Sequence, residues 1–197
     1  ATVVPYSALM AIDLLRRIGI QRGQQVLING ASGGIGSGVL QLAKHYGAEV
    51  TAVCSTPRME FVKALGADKV IDYTKEDFTQ TGETYDLIVD VLGKSSFSRS
   101  KGSLKEEGKY VMTSFKMRDF VDMFRTSFGG GKKAICAILV AKPEDLVLTK
   151  QLVEAGELKA VIDKRFPLEQ TADAHRYVES GQKKGHVVIT LEHNNRT

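Results

Sequence analysis

The stretch Val26-Leu27-Ile28-Asn29-Gly30-Ala31-Ser32-Gly33-Gly34-Ile35-Gly36 runs from an apolar strand into a glycine-rich turn, and residues Ser37 to Tyr46 continue it as a helix. A strand, a glycine turn and a helix in this order suit a diphosphate, because a helix N-terminus presents free N–H groups and the positive end of its dipole. We expect Gly33 to let phosphates approach the backbone and Gly36 to allow tight contact between helix and strand. Ala31 stands where the common fingerprint has its first glycine.

The rest of the chain alternates between apolar strands and helices. After the strand of the glycine stretch, further strands are predicted at Glu49–Cys54, Lys69–Asp72, Tyr85–Val91, Gly108–Thr113 and Lys133–Val140. Helices are predicted at Val4–Ile18, Ser37–Tyr46, Arg58–Leu65, Ser95–Leu104, Arg118–Ser127 and Pro143–Ala155. Because parallel strands need crossover helices, this pattern predicts an α/β fold: a doubly wound parallel sheet of the Rossmann type in three αβα layers.

A C-terminal segment follows the last strand of that sheet. It carries a predicted strand at Val161–Phe166, a helix at Leu168–Ser180 and a final strand at His186–Leu191. These elements could add strands to the sheet edge or belong to a second domain.

Composition and charge exclude several classes of protein. The net charge of +4 is small and spread over the chain, and the pairs Lys132-Lys133 and Lys183-Lys184 are typical of a solvated face, so no nucleic-acid partner is expected. No apolar run reaches the length of a membrane-spanning helix, and no secretory signal pattern is present. Cys54 and Cys136 lack metal-ligand spacing and are expected to be buried strand residues in a reducing compartment, the cytoplasm.

The end of the second strand indicates which dinucleotide is bound. Proteins that bind NAD usually place an acid there to accept hydrogen bonds from the ribose hydroxyls. Here the strand ends in Cys54-Ser55-Thr56-Pro57-Arg58, and the first acid, Glu60, lies inside the next helix. Small hydroxyl groups with an arginine suit a 2′-phosphate, so NADP(H) is predicted rather than NAD(H).

The sequence resembles the zinc-independent medium-chain dehydrogenases and reductases, in particular their quinone oxidoreductase branch. The resemblance runs over the whole length, and its most specific piece is a Leu-Gly-Ala-Asp run before a strand that ends in Asp-Tyr. The matching segments are Pro5–Leu9, Gly23–Ile28, Gly30–Gly36, Leu65–Tyr73, Asp86–Gly93 and Lys183–Ile189. Ala31 is the residue that this branch normally shows.

The resemblance implies a set of cofactor-binding residues. By position they are Ser32, Gly33, Gly34 and Ile35 for the diphosphate, Ser55, Arg58 and Tyr73 for the 2′-phosphate, and Val91, Leu92 and Gly93 for the nicotinamide ribose. It further implies hydride transfer from NADPH to a quinone or an α,β-unsaturated carbonyl, with no dedicated catalytic residue in this chain. Met10 departs from the small hydroxyl residue that the family often carries near the nicotinamide.

Two further expectations concern metal and domain content. Residues 1–8 contain no Cys, His, Asp or Glu where zinc-dependent relatives have a ligand, and His45, His175, His186 and His193 are isolated in sequence, so no metal site is predicted. Family members begin with a β-rich substrate domain that this sequence does not contain. The resemblance therefore implies a dinucleotide-binding domain, residues 1–158, and a C-terminal strand-helix-strand segment, residues 159–197, that returns to that substrate domain. We expect a cofactor domain that binds NADPH and turns over substrate poorly, because hydride transfer needs walls from both domains.

Three alternative functions share features with this sequence. A short-chain dehydrogenase also fits the glycine spacing, but none of the six tyrosines is followed four residues later by the lysine which that chemistry uses. A non-catalytic dinucleotide-binding or interaction module would have the same site residues. An enoyl reductase domain that acts on unsaturated thioesters would share this cofactor half.

A homodimer is predicted from the last strand of the sheet. Residues 133–140 are nearly all apolar, although the strand should lie at a sheet edge, and an exposed edge of this kind favours pairing with a second chain. In the resembling family this strand often joins the sheets of two subunits.

Overall fold

Six parallel strands form the main sheet in the order β3-β2-β1-β4-β5-β6. The computed structural model describes residues 3–191. Its strands are β1 Gln25–Asn29, β2 Glu49–Cys54, β3 Lys69–Asp72, β4 Tyr85–Asp90, β5 Leu104–Met112, β6 Lys133–Cys136, β7 Ile162–Pro167 and β8 His186–Thr190. Its α-helices are α1 Val4–Ile18, α2 Gly34–His45, α3 Met59–Ala64, α4 Phe97–Ser100, α5 Met117–Ser127, α6 Pro143–Glu154 and α7 Thr171–Glu179. This strand order and parallel pairing confirm the predicted doubly wound fold.

The core lies on both faces of the central strands. Val26, Leu27 and Ile28 of β1 are fully buried, as the continuous apolar run of a sheet covered on both sides requires. One face packs against α1, α2, α3 and α6, and the other carries Leu27, Ile88 and Tyr110 under shorter segments. Helices α1 and α2 pack directly together, and a Cβ on Gly38 would lie 2.8 Å from the Ser7 carbonyl oxygen. Among the described residues, no helix is both long and apolar enough to cross a bilayer.

Three elements differ from their predicted limits by four residues at one end. The helix expected at Ser95–Leu104 is a short α4 followed by a 3-10 turn, and β5 begins at Leu104 rather than Gly108. The earlier start arises because Leu104 pairs with Tyr85 before a register shift in the β4–β5 ladder. Strand β6 ends at Cys136 rather than Val140, since its partner β5 ends at Met112, the residue paired with Cys136.

The C-terminal segment forms a sheet of its own. Strands β7 and β8 pair in parallel with each other and do not extend the six-stranded sheet, so the edge-strand alternative is wrong. The segment is attached to α2 through Gln41, whose side-chain Oε1 accepts from the Lys159 N–H at 2.8 Å. The predicted domain limits at residues 1 and 197 and the histidine at 193 lie outside the described residues.

Candidate functional site

A cleft of about 370 Å³ opens where β1, β2 and β4 end and α2 begins. It lies at the carboxyl edge of the parallel sheet, the position at which folds of this class bind ligands. All of the predicted cofactor residues except Ser55 and Gly93 line it, namely Ser32, Gly33, Gly34, Ile35, Arg58, Tyr73, Val91 and Leu92. The cleft is also lined by residues that were not predicted: Tyr6, Gly30, Cys54, Lys94, Gly181, Lys183 and His186.

The glycine turn places the N-terminus of α2 at the cleft. Gly30 adopts a φ of +92°, which an L-residue rarely adopts, and Gly33 precedes the helix without a side chain to cap it. A Cβ on Gly36 would lie 2.2 Å from the Gly30 carbonyl oxygen, so the close contact that this glycine allows is with the turn directly after β1. The first N–H groups of α2 therefore face the cleft with no side-chain cap from Gly33, an arrangement suited to an anion.

The C-terminal segment closes against this turn. The N–H of Gly185 donates to the carbonyl of Ser32 at 2.8 Å, and Gly185 forms a parallel bridge with Gly33. Beside this bridge, a Cβ on Gly34 would lie 2.6 Å from Cε1 of the His186 ring. Gly34 is therefore required by the packing of His186 against the turn.

Positive side chains from both parts of the chain meet in the cleft. Burial lowers the pKa of Lys183, and the charge of Arg58 lowers it further, while Asp163 acts in the opposite direction. Burial also lowers the pKa of His186, and the charge of Lys183 adds to this effect. Among the described residues, no hydrogen-bond partner lies within reach of the buried Nε2 of His186. Mutually repelling cations beside an unpartnered ring nitrogen fit the phosphate groups of a dinucleotide.

Arg58 links the predicted 2′-phosphate region to the C-terminal segment. Its guanidinium donates to the Gly181 carbonyl and, at 3.4 Å, to Ser32 Oγ. Tyr73 is 53% exposed at the same side of the cleft. Ser55 lies outside the lining, and its carbonyl accepts the Arg58 N–H at 2.9 Å at the start of a 3-10 turn.

At the ends of β2 and β3, Asp72 and Cys54 contribute no negative charge to the cleft lining. The carboxylate of Asp72 accepts hydrogen bonds from the hydroxyls of Thr56 and Thr74, and the bond from Thr56 is the largest cause of its lowered pKa. Cys54 is confirmed as a buried strand residue, and burial raises the pKa of its thiol to about 11. Cys136 is only half-buried because it lies on the edge strand. The cleft wall at Cys54 is therefore an uncharged thiol at neutral pH.

A buried carboxylate holds the loop predicted to border the nicotinamide ribose. Asp90 is 1% exposed, and its Oδ1 accepts from the N–H groups of Leu92 and Gly93, each at 3.1 Å. Asn29 and the hydroxyl of Tyr110 donate to the same carboxylate at 3.1 and 2.8 Å. Sequence reasoning missed this role of Asp90, although an acid at the end of an apolar strand was a signal for it.

Lys183 and His186 were also missed. The pair Lys183-Lys184 was interpreted as a solvated face, which is wrong for Lys183 because its side chain is half-buried in the cleft and donates to the Gly185 carbonyl at 3.2 Å. No local pattern marks His186, since its contact with Gly34 depends on the return of the chain to the sheet. Within residues 3–191, no three His, Cys, Asp or Glu side chains form a group that could hold a metal ion.

Comparisons with known proteins agree with this fold. Residues 65–189, more than half of the chain, match the model of a family described as zinc-binding dehydrogenase. A 2-methylene-furan-3-one reductase of Solanum lycopersicum is 33% identical over 193 residues, which cover 96% of this chain and 46% of the relative. A chloroplastic NADPH-dependent alkenal/one oxidoreductase of Arabidopsis thaliana is 32% identical with the same two coverages.

Solved structures give the same result. A quinone oxidoreductase from Coxiella burnetii superposes with a TM-score of 0.84 and 29% identity over 93% of this chain and 57% of that protein. The chain spans about half the length of the curated relatives it matches. The matches together show that this chain belongs to the medium-chain dehydrogenase and reductase family, in its zinc-independent, quinone oxidoreductase-like branch.

Proposed function

We propose that this chain is the NADPH-binding portion of an oxidoreductase that transfers a hydride to a quinone or an α,β-unsaturated carbonyl. One observation carries the proposal: the described lining of the cleft contains Arg58, Lys94, Lys183 and His186 and no carboxylate. A site of this charge favours a ligand with an additional phosphate over one that presents free ribose hydroxyls.

Each part of the cleft has a proposed role. The turn from Ser32 to Ile35 binds the diphosphate through backbone N–H groups, with Lys183 and His186 beside it in the same lining. Arg58 and Tyr73 bind the 2′-phosphate. Ser55 is assigned to the same group because it lies three residues before Arg58 in the sequence.

The other end of the cleft positions the reacting ring. The loop of Val91, Leu92 and Gly93 borders the nicotinamide ribose, and the bonds from its backbone to Asp90 hold it in place. Bound NADPH would supply the hydride, and the chain would bind this cofactor and orient its nicotinamide ring. The names of the relatives, which include reductases of enones and quinones, support this class of acceptor.

We further propose that residues 1–158 form the dinucleotide-binding domain and that residues 159–197 return toward a substrate domain. The separate β7–β8 sheet supports this division. The acceptor would be tested on the full-length protein by following NADPH oxidation with a benzoquinone, a simple enone and an enoyl thioester in parallel. Preference for the thioester would favour an enoyl reductase, and no oxidation with any acceptor would favour a non-catalytic module.

A homodimer through residues 133–140 is also proposed. Strand β6 is the last strand of the sheet and has one free edge among the described residues. Ile138 and Val140 beyond it are more than half exposed. Light scattering after size-exclusion chromatography is expected to show a dimer that Ile138→Lys, at a position 58% exposed, converts to a monomer. A monomer at every wild-type concentration would contradict the dimer.

We place the protein in the cytoplasm as a further proposal. It is supported by two free cysteines, one of them only half-buried, because such thiols persist in a reducing compartment. Cell fractionation of the full-length protein would test this assignment, and recovery from an organelle would contradict it.

The cofactor proposal is tested by calorimetric titration with NADPH and, separately, NADH. The wild-type chain should prefer NADPH, and Arg58→Ala should reduce that preference about 10- to 100-fold, since a hydrogen bond to a charged group contributes about 1.5–3 kcal/mol. Arg165→Ala, which removes an exposed arginine outside the lining, is the matched control and should leave it unchanged. If neither nucleotide binds the wild type, the proposal is wrong.

A further inference from the structure

Helix α5 exposes several large apolar side chains to solvent. Met117 is 82% exposed, Phe124 is 65% exposed and Phe128, directly after the helix, is 79% exposed. Val121 and Phe120 are exposed on the same helix, and the spacing of these residues places them along one stripe. We call Met117, Phe120, Val121, Phe124 and Phe128 the α5 stripe.

Polar contacts fix this orientation. Asp119 is 6% exposed, and its carboxylate accepts the Lys116 N–H at 2.6 Å, which caps the start of the helix. Near the other end, the hydroxyl of Thr126 accepts the N–H of Ala134 in β6 at 3.0 Å. The helix cannot turn its stripe inward without breaking both contacts.

The stripe is large for the surface of a protein. An aromatic side chain presents about 150–250 Å², so the exposed fractions correspond to an apolar area on the order of 600 Å², at the upper limit of the patches on soluble monomers. Nothing in the described part of the chain covers it. A patch of this size marks an interaction surface.

The charges around the stripe determine which partner it suits. Lys116, Arg125 and Lys133 are exposed, whereas Asp119 is buried and Asp122 is half-buried. The exposed charged side chains described on α5, its N-cap residue and β6 are therefore basic. A helix with an aromatic apolar stripe and basic flanks has the composition of helices that lie in the headgroup region of a bilayer with anionic lipids.

We propose that α5 is a peripheral docking helix for an anionic phospholipid surface, with the α5 stripe inserted at the boundary of headgroups and acyl chains. The helix follows the carboxyl end of β5, and a Cβ on Gly93 would lie 3.0 Å from the carbonyl oxygen of Ser114, just before α5. Docking thus brings the loop of Val91, Leu92 and Gly93, which borders the cleft, close to the bilayer. Access from this position to an acceptor dissolved in lipid rests on the proposed function. The docking itself does not depend on that function.

The test is sedimentation of the full-length protein, in which a substrate domain could cover the stripe, with vesicles of phosphatidylcholine alone or mixed with phosphatidylglycerol. The wild type should bind only the anionic vesicles, less tightly at high salt. Phe124→Ser/Phe128→Ser should weaken binding about 10-fold or more because it removes the inserted rings, and Arg125→Glu should weaken it without loss of fold. Leu146→Ser/Val147→Ser on α6, which removes two exposed apolar residues elsewhere, is the matched control and should bind as the wild type does.

Circular dichroism and NADPH titration of every variant separate loss of docking from loss of fold. Failure of the wild type to bind either kind of vesicle overturns docking, and so does equal binding by Phe124→Ser/Phe128→Ser. A dimer that this double variant converts to a monomer, without vesicle binding, would assign the stripe to a second copy of the chain. Vesicle binding without NADPH binding would contradict the proposed function alone.

Discussion

The main sheet and the C-terminal segment are both parallel β structure, but they differ sharply in burial. Ile28 in β1 is 0% exposed, whereas Ile189 in β8 is 37% exposed, and no residue of β8 is fully buried. The cleft nevertheless depends on both parts, because the sheet provides the glycine turn and the segment provides Lys183 and His186. Stability and site charge therefore have different sources in this protein, and mutation should separate them.

The largest expected contrast is between two glycines. Gly36→Ala places a Cβ 2.2 Å from the Gly30 carbonyl oxygen, and the rigid turn cannot move aside. Thermal unfolding should show a loss of about 3 kcal/mol or more. Gly181→Ala in the segment faces open space at a φ of +69°, so it should cost only the backbone strain, about 1 kcal/mol. Equal losses would refute the assignment of stability to the sheet.

The same contrast should appear for two isoleucines in strands. Ile28→Ala removes a side chain from the centre of the core and should reduce the free energy of unfolding by about 2–5 kcal/mol in urea titrations. Ile189→Ala removes a partly exposed side chain and should cost less than about 1 kcal/mol. A larger loss for Ile189→Ala would mean that the segment is a main source of stability.

A smaller effect is expected where the two regions are joined. The Gln41 side chain donates to the Lys159 carbonyl at 3.3 Å and accepts from the N–H of the same residue. Gln41→Ala should cost about 1–2 kcal/mol and speed hydrogen exchange in residues 159–190 while the main sheet remains protected. Gln151→Ala, at an exposed position on α6, is the control. Uniform exchange in both regions would show that they open as one unit.

The smallest effect is a pH dependence. Burial and the charge of Lys183 lower the pKa of His186, so the free chain favours the neutral ring. The folding free energy that this preference contributes is present above the ordinary histidine pKa of about 6.5 and is lost as the pH falls below it. A bound diphosphate favours the charged ring, so binding takes up a proton and should tighten a few-fold as pH falls toward 5.5. Titration with NADH avoids protonation of a 2′-phosphate. His186→Gln should flatten the profile, and an unchanged profile would remove His186 from the site.

Local pattern was sufficient for most of the fold. The strands β1 to β4 and the helices α1 and α6 lie within a few residues of their predicted limits because apolar periodicity, Pro143 and the helix-ending glycines act locally. The start of β5 was missed because it depends on one distant pair, Leu104 with Tyr85, after which the ladder shifts register before Lys109 pairs with Leu87. The roles of Arg58, Tyr73 and the residues around the glycine turn remain predictions for the titrations above.

The sequence alone was enough to identify the glycine turn, the alternation of strands and helices, and the lack of an acid after β2, since each depends on residues close together in the chain. It did not reveal that Lys183 lies near Arg58 or that the His186 ring packs against Gly34. It also did not reveal that Asp90 holds the loop that follows it. Nor did it reveal that α5 turns its apolar side outward. These features arise from contacts between distant segments, and a side chain's burial and pKa depend on neighbours that only folding brings together.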